Sequence, residues 1–139
     1  MSLPIEINWD QLRATAGPYP DEAFEFVSEG WGYTVEQIQE EDLNAEFELA
    51  MPAGLHVSGQ ELCIGLRNFA IKQYGLLAPV VLRRWNVNRT ADFGQIVFAM
   101  IEFGLMSKND SDSIEDFQGI FDFHDAFARE EILSALSKN

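Results

Sequence analysis

Cysteine, histidine and positive charge are scarce in this chain. Its one cysteine excludes an internal disulfide, and its two histidines form no zinc-binding pattern with that thiol. Nine Lys and Arg stand against 23 Asp and Glu, a net charge of −14, which repels nucleic acid and anionic membranes. No apolar run approaches the roughly 20 residues that span a bilayer. The opening MSLPIEINWD lacks the regions of a signal peptide, so we expect a cytoplasmic protein.

A compact core is expected in spite of the charge. Hydrophobic residues make up 47% of the 139, with eleven Phe and three Trp, which is too apolar for a disordered chain. The length fits one domain, and no linker, repeat or low-complexity tract divides it. Residues 1–139 are therefore predicted to form a single domain. Cys63, next to Leu62 in a helical pattern, is interpreted as a small buried hydrophobe.

The acidic residues are unevenly distributed. Residues 1–59 carry twelve acids and Arg13 alone, a net charge of −11. Residues 60–89 carry one acid and five cations, a net of +4, and residues 90–139 carry ten acids and three cations, a net of −7. One basic segment thus lies between two acidic ones, a pattern that suits a protein partner with an acidic surface.

Helical periodicity dominates the chain, and the sequence predicts five to six helices. They cover residues 7–16, 20–35, 58–75, 79–85, 90–103 and 125–137. Residues 39–55 are predicted to be a connection, with a short strand at 46–51. LMSK and GIFDF, on either side of an acidic turn, predict a β-hairpin. We therefore expect a mainly α (α+β) fold with a winged-helix-like C-terminal half, in which residues 106–123 form the wing.

Several helix ends are marked by local chemistry. Ser58 and Glu61 have the spacing of a capping box, in which each side chain bonds the other's backbone N–H. Thr90 is predicted to cap the next long helix, with Gly75 and Gly104 at helix ends in the left-handed conformation. Gly30, together with Gly32, is interpreted as the mark of a close helix crossing.

The letters D-F-G at residues 92–94 do not indicate a kinase, because no glycine-rich loop, strand lysine or H-R-D accompanies them. Asp92 instead suits a helix N-terminus. Phe93 begins an apolar stripe that continues through Ile96, Val97, Met100 and Phe103. The outward face, predicted as Gln95, Ala99 and Glu102, lacks the cations of a DNA-reading helix, and the predicted wing is acidic. We expect no nucleic acid partner.

The candidate chemical sites are weak. Asp110 and Asp112 lie in an acidic turn that lacks the glycine found at the sixth position of a calcium-binding loop. His124 has aspartates on both sides but no pattern of a metal site around it. His56, Ser58 and Glu61 provide an alternative in which they line the cleft of an enzyme or small-ligand-binding protein. Ser58 is already explained as a cap, and no G-x-S-x-G surrounds it. We expect no metal and no cofactor.

Several segments resemble an uncharacterised bacterial family best known from planctomycetes, verrucomicrobia and their relatives. The similar segments are YPDEAFEFV, HVSGQEL, ADFGQIVFAMIEFGLMSK and DFQGIFDFHDAF. Residues 39–51 and those after Arg129 resemble it least. The resemblance implies no activity and no catalytic residues.

The sequence therefore predicts a non-catalytic protein-interaction module. Arg83, Arg84 and Arg89 are the candidate partner-binding residues, since they are clustered cations on an acidic protein. The partner is unidentified, and a homo-oligomer, in which the arginines meet the acidic residues 36–48 of another copy, remains open. We expect no membrane contact.

Overall fold

The computed structural model describes residues 9–45 and 57–138, and every regular element in these ranges is helical. The α-helices are α1 (Trp9–Ala16), α2 (Asp21–Ala45), α3 (Gly59–Tyr74), α4 (Ala78–Arg84), α5 (Thr90–Glu102), α6 (Phe123–Ala126) and α7 (Arg129–Ser137). Two short 3-10 helices, Gly75–Leu77 and Ile114–Phe117, follow α3 and α5.

The predicted β-hairpin is wrong, and with it the α+β class and the winged-helix-like half. Residues 106–123 contain turns and the 3-10 helix Ile114–Phe117, with no strand. Local bonds fix this helical turn: the Ser113 hydroxyl accepts from the N–H of Glu115, and Asp116 accepts from the N–H of Ser113 at 3.0 Å. Phe117 is buried by this turn and anchors it to the core. Ile120, Phe121 and Phe123 of GIFDF are partly buried against the core, and Phe123 begins α6.

The predicted connection starts too early. α2 runs unbroken for 25 residues to Ala45, so residues 39–45 are helical. The predicted strand at 46–51 lies outside the described residues. Glutamate and glutamine are good helix formers, so helix propensity favours the extension of α2 through this acidic segment.

The crossing of α2 and α3 confirms the role of Gly30 but not that of Gly32. A Cβ on Gly30 would lie 2.4 Å from Leu66 Cδ2, whereas a Cβ on Gly32 would meet nothing within 4 Å. From the other side, a Cβ on Gly65 of α3 would lie 1.9 Å from Thr34 Oγ1. The Thr34 hydroxyl donates to the Gly30 carbonyl at 2.7 Å. Each helix therefore contributes a glycine where the other's side chain enters.

α5 is the central core helix. Its predicted apolar stripe is confirmed at Phe93, Ile96, Val97 and Met100, which are buried, whereas Phe103 is half-buried at the helix end. Ala99, predicted to face outward, is buried as well, because helices pack on several sides of α5. The predicted burial of Cys63 is also confirmed.

The ends of α5 differ in how well they were predicted. The N-cap of α5 is Arg89, and Thr90, which was predicted to be the cap, is the first helical residue. The Thr90 Oγ1 accepts from the N–H of Ile120 at 3.2 Å. Gly104 ends the helix with a φ of 77°, as predicted. The N–H groups of Gly104 and Leu105 bond back to the carbonyls of Ile101 and Met100, which is the Schellman pattern.

Two other helix ends depart from the prediction. Gly75 ends α3 with a positive φ of 56°, but its ψ of −131° lies outside the left-handed helical region, and the chain enters a 3-10 helix directly. The predicted last helix is interrupted at residues 127–128, between α6 and α7. Phe127 and Ile132 of its predicted stripe are buried, whereas Leu133 and Leu136 are exposed.

Candidate functional site

The D-F-G segment forms a buried polar connection rather than a metal site. Asp92 Oδ1 accepts from the Tyr19 hydroxyl at 2.6 Å, and Oδ2 accepts from the N–H groups of Asn88 and Arg89 at 2.8 and 3.2 Å. Burial, and then the hydrogen bond to Asp92, raises the pKa of Tyr19 well above its usual value. Both carboxylate oxygens thus bond within the fold. Asp92 caps α5 and ties it to the α1–α2 junction.

The glycine of D-F-G makes room for Phe117. A Cβ on Gly94 would lie 2.8 Å from Phe117 Cβ, and a Cβ on Gly59 of α3 would lie 3.0 Å from Phe117 Cε1. The phenylalanine is therefore held between α3 and α5 at two positions without side chains. Glycines inside a predicted helix can mark a close contact, so Gly59 and Gly94 were a sequence signal for this one. Sequence reasoning did not use that signal.

Beside Phe117 a groove of about 550 Å³ opens between α2, the start of α3, the end of α5 and the turn that follows. Its apolar lining includes Trp31, Leu62, Phe98, Ile101, Met106 and Phe117. Its polar lining includes Ser28, Ser58, Ser107, Lys108, Asp112 and Asp116. The volume is in the range of ligand and peptide sites.

Of the alternative cleft residues His56, Ser58 and Glu61, only the last two lie in the described part of the chain. His56 lies outside the described residues. The predicted capping box is confirmed: Glu61 N–H donates to Ser58 Oγ at 3.0 Å, and Ser58 N–H donates to Glu61 Oε1 at 2.9 Å. Ser58 lines the groove, but its oxygen already accepts a hydrogen bond there, and Glu61 is exposed at the same helix start. The pair is a structural cap.

The structure separates the three candidate arginines into two places. Arg83 and Arg84 lie exposed in the last turn of α4, and within the described residues neither forms a salt bridge. Arg89 is the N-cap of α5, and its backbone N–H bonds Asp92. Its charge lies close enough to Tyr19 to affect that residue's pKa. Arg83 and Arg84 therefore lie together at the end of α4, while Arg89, whose side chain is also exposed, takes part in the polar connection through its backbone.

Sequence reasoning missed the aliphatic residues next to these arginines. Leu77 is 63% exposed and Val80 of α4 is 44% exposed. The 3-10 helix Gly75–Leu77 packs against α7, on which Leu133 and Leu136 are also exposed. We name Leu76, Leu77, Val80, Arg83, Arg84, Leu133 and Leu136 the aliphatic–arginine surface. The run LLAPVVL at residues 76–82 was the sequence signal for this surface, because a helix as short as α4 cannot bury every apolar residue in it.

A cluster of Asp122, His124 and Asp125 brings one ligand atom from each residue within 4.8 Å of the others. All three are exposed, and Asp122 Oδ1 accepts from the N–H of Asp125 as the N-cap of α6. The cluster is explained by the helix start. Cys63 offers no accessible nucleophile either, because burial raises the pKa of its thiol to about 12.

Neither the protein-family models, nor the curated proteins, nor the solved structures contain a match to this chain. The resemblance to the planctomycete and verrucomicrobial family stays a prediction. Among the helices in the described ranges, none has the length and apolarity required to traverse a bilayer.

Proposed function

We propose that this chain is a non-catalytic protein-interaction module that binds its partner through the aliphatic–arginine surface. The observation that carries the proposal is the exposure of five large aliphatic side chains on neighbouring helices beside two arginines with no salt bridge in the described structure. Such contiguous apolar patches on a protein surface mark sites of association.

The helix contacts account for the continuity of this surface. Val80 lies one helical turn before Arg83 and Arg84, so their side chains share one face of α4. The 3-10 helix Gly75–Leu77 touches both α4 and α7, the helix that carries the exposed Leu133 and Leu136. A partner that covers this face would bury aliphatic area at its centre and meet guanidinium groups at its edge, the usual arrangement of an interface.

The charge of this region supports a partner with an acidic border. Residues 62–91 contain five cations and no acid, in a chain whose net charge is −14. An aliphatic partner surface bordered by Asp or Glu is therefore attracted to residues 62–91, whereas the acidic segments on either side repel it. Arginine also pairs with carboxylates through two parallel hydrogen bonds, which favours acidic surfaces over neutral ones.

Catalysis is not part of the proposal, because Ser58 and Glu61 hydrogen-bond to each other's backbone and Asp92 is saturated within the fold. A cytoplasmic site of action remains part of it, in keeping with a single buried cysteine. The family resemblance adds no activity.

Affinity capture from the native host, followed by mass spectrometry and a binding titration with the recovered partner, tests the proposal. Arg84→Glu and the double variant Arg83→Glu/Arg84→Glu should weaken binding, by about tenfold or more for the double variant, and added salt should weaken wild-type binding in the same direction. Leu77→Asp should also weaken partner binding, although it leaves both arginines in place.

Gln95→Glu is the control for an added negative charge, because Gln95 is exposed on α5 and lines neither the groove nor the aliphatic–arginine surface. It should leave affinity within about twofold of wild type, since an exposed charge far from an interface contributes little. Partner binding that ignores the arginine and Leu77 variants and salt would overturn the proposal.

A further inference from the structure

We propose that the groove beside Phe117 is a second docking surface, and that it takes an amphipathic segment of a partner protein with apolar side chains on one face and Lys or Arg at its edges. This inference is independent of the aliphatic–arginine surface, which lies at the opposite end of α3. α3 has 16 residues and is therefore about 24 Å long.

The floor of the groove supplies the apolar contact. Phe98, Ile101 and Met106 are half-buried and pack against the core with one side while the other lines the groove. Trp31 forms part of the α2 wall and is 44% exposed, a large fraction for an aromatic side chain. A helix laid in such a groove buries side chains at every third or fourth position.

The edge of the groove supplies the charge selection. Residues 104–117 contain four acids and Lys108 alone, a net charge of −3. Asp112 and Asp116 line the groove, while Asp110 and Glu115 are exposed beside them. Lys108 Nζ donates to the Asn109 carbonyl at 3.0 Å, within its own turn. An occupant with cations at its edges is attracted here, and one with carboxylates is repelled.

Two of the acidic side chains at the groove edge also stabilise the turn. Asp112 Oδ2 accepts from the N–H of Asn109 and Asp116 Oδ2 accepts from the N–H of Ser113, at 2.8 and 3.0 Å. Backbone donors hold these carboxylates in place, so the rim is ordered before a partner arrives. Preorganisation of this kind lowers the entropy cost of docking.

The probes are three designed peptides of about 18 residues, or five helical turns, without tryptophan. One has leucines on one face and lysines on the other, the second has Glu in place of Lys, and the third scrambles the first. Binding is read from the anisotropy of a labelled peptide and from the emission of Trp31, with Trp31→Phe to assign the emission change. In the Trp31 emission, which reports on the groove and not on the aliphatic–arginine surface, the basic amphipathic peptide should give a saturable blue shift at concentrations at least about tenfold lower than the other two.

Met106→Lys should weaken the basic peptide by about tenfold, because it places a cation inside the apolar groove. Gln95→Lys adds the same charge at an exposed position outside the groove and outside the aliphatic–arginine surface, so its affinity should stay within about threefold of wild type. If Met106→Lys does not fold by circular dichroism, Asp110→Lys/Glu115→Lys replaces it, since both side chains are exposed. Asp125→Lys/Glu130→Lys, with two exposed acids elsewhere, is then its control.

Equal Trp31 titrations with the basic, acidic and scrambled peptides would overturn the proposal, as would wild-type affinity for the basic peptide in the groove variants. Concentration-dependent dimerisation without peptide, abolished by Met106→Lys, would assign the groove to a second copy and also overturn it. Failure of either kind leaves the aliphatic–arginine surface untouched, because its partner and its variants are different.

Discussion

The Tyr19 hydroxyl donates to Asp92 Oδ1 over 2.6 Å, and 73 residues of chain separate the two. Both side chains are buried. The bond links the α1–α2 junction to the start of α5, where the other oxygen of Asp92 receives two backbone N–H groups. One carboxylate therefore serves as a helix cap and as a long-range tie.

Tyr19→Phe should destabilise the fold at neutral pH by about 1.5–3 kcal/mol, the usual worth of a hydrogen bond to a charged group. The folded pKa of Tyr19 is raised above the unfolded value of about 10. The stability that Tyr19 contributes is then fully present below about pH 10 and is lost as the pH rises above it, because the unfolded chain releases the proton first.

Urea unfolding of wild type and Tyr19→Phe from pH 7 to pH 11 checks this. The difference in unfolding free energy should shrink above pH 10. Cys63 and Tyr74, whose pKa values are also raised by burial, remain in both proteins and do not affect the difference. A difference that stays constant over the range would contradict the assignment.

Gly65→Ala should destabilise strongly, by at least about 2 kcal/mol, because the new Cβ would lie 1.9 Å from Thr34 Oγ1 and 2.7 Å from Thr34 Cβ. Gly32→Ala is the matched control, in a helix with nothing within 4 Å of the added Cβ. It should leave stability unchanged or raise it by up to about 1 kcal/mol. Denaturation midpoints measure both, and equal effects of the two substitutions would refute the close crossing.

Ser58→Ala should cost about 1 kcal/mol, since it removes one half of the capping box. Ser134→Ala, at an exposed site inside α7, should change stability by less than about 0.5 kcal/mol. Partner binding should survive in both variants under conditions where they are folded. A Ser58→Ala protein that melts like wild type but loses binding or an activity would place Ser58 in a functional site.

The protein should not bind duplex DNA at physiological salt, even at high micromolar concentration. The net charge of residues 90–139 is −7, and counterion release requires cations at the phosphates. Fluorescence anisotropy with a labelled duplex measures this. Tight, salt-sensitive binding that is lost in a folded Gln95→Ala variant would contradict the expectation.

Met100→Ala should cost roughly 2–5 kcal/mol, because Met100 is buried in the central helix and the surrounding helices cannot fully close the cavity. Phe93→Ala should be at least as severe. Gln95→Ala, on the exposed face of the same helix, should stay close to wild type. Thermal and chemical unfolding of the three variants tests this order, and a mild Met100→Ala would mean that α5 is not the core helix.

Interactions within a few residues could be predicted from the sequence. The Ser58–Glu61 box, Gly104 after α5 and the buried stripe of that helix all follow from spacings of three or four residues. They hold in almost any packing, because the donors and acceptors belong to the same turn of chain.

Tertiary structure decided the rest. Residues 106–123 contain the two-residue spacing of a strand at Phe121 and Phe123 and the three-residue spacing of a 3-10 helix at Ile114 and Phe117. Only the space at Gly59 and Gly94 made Phe117 a buried anchor. The exposure of Leu77 and Leu133 likewise depended on which helices came to lie against them. The sequence determined where helices start and which faces are apolar; burial of those faces depends on neighbours that are distant in the chain, and their positions are set only when the helices pack.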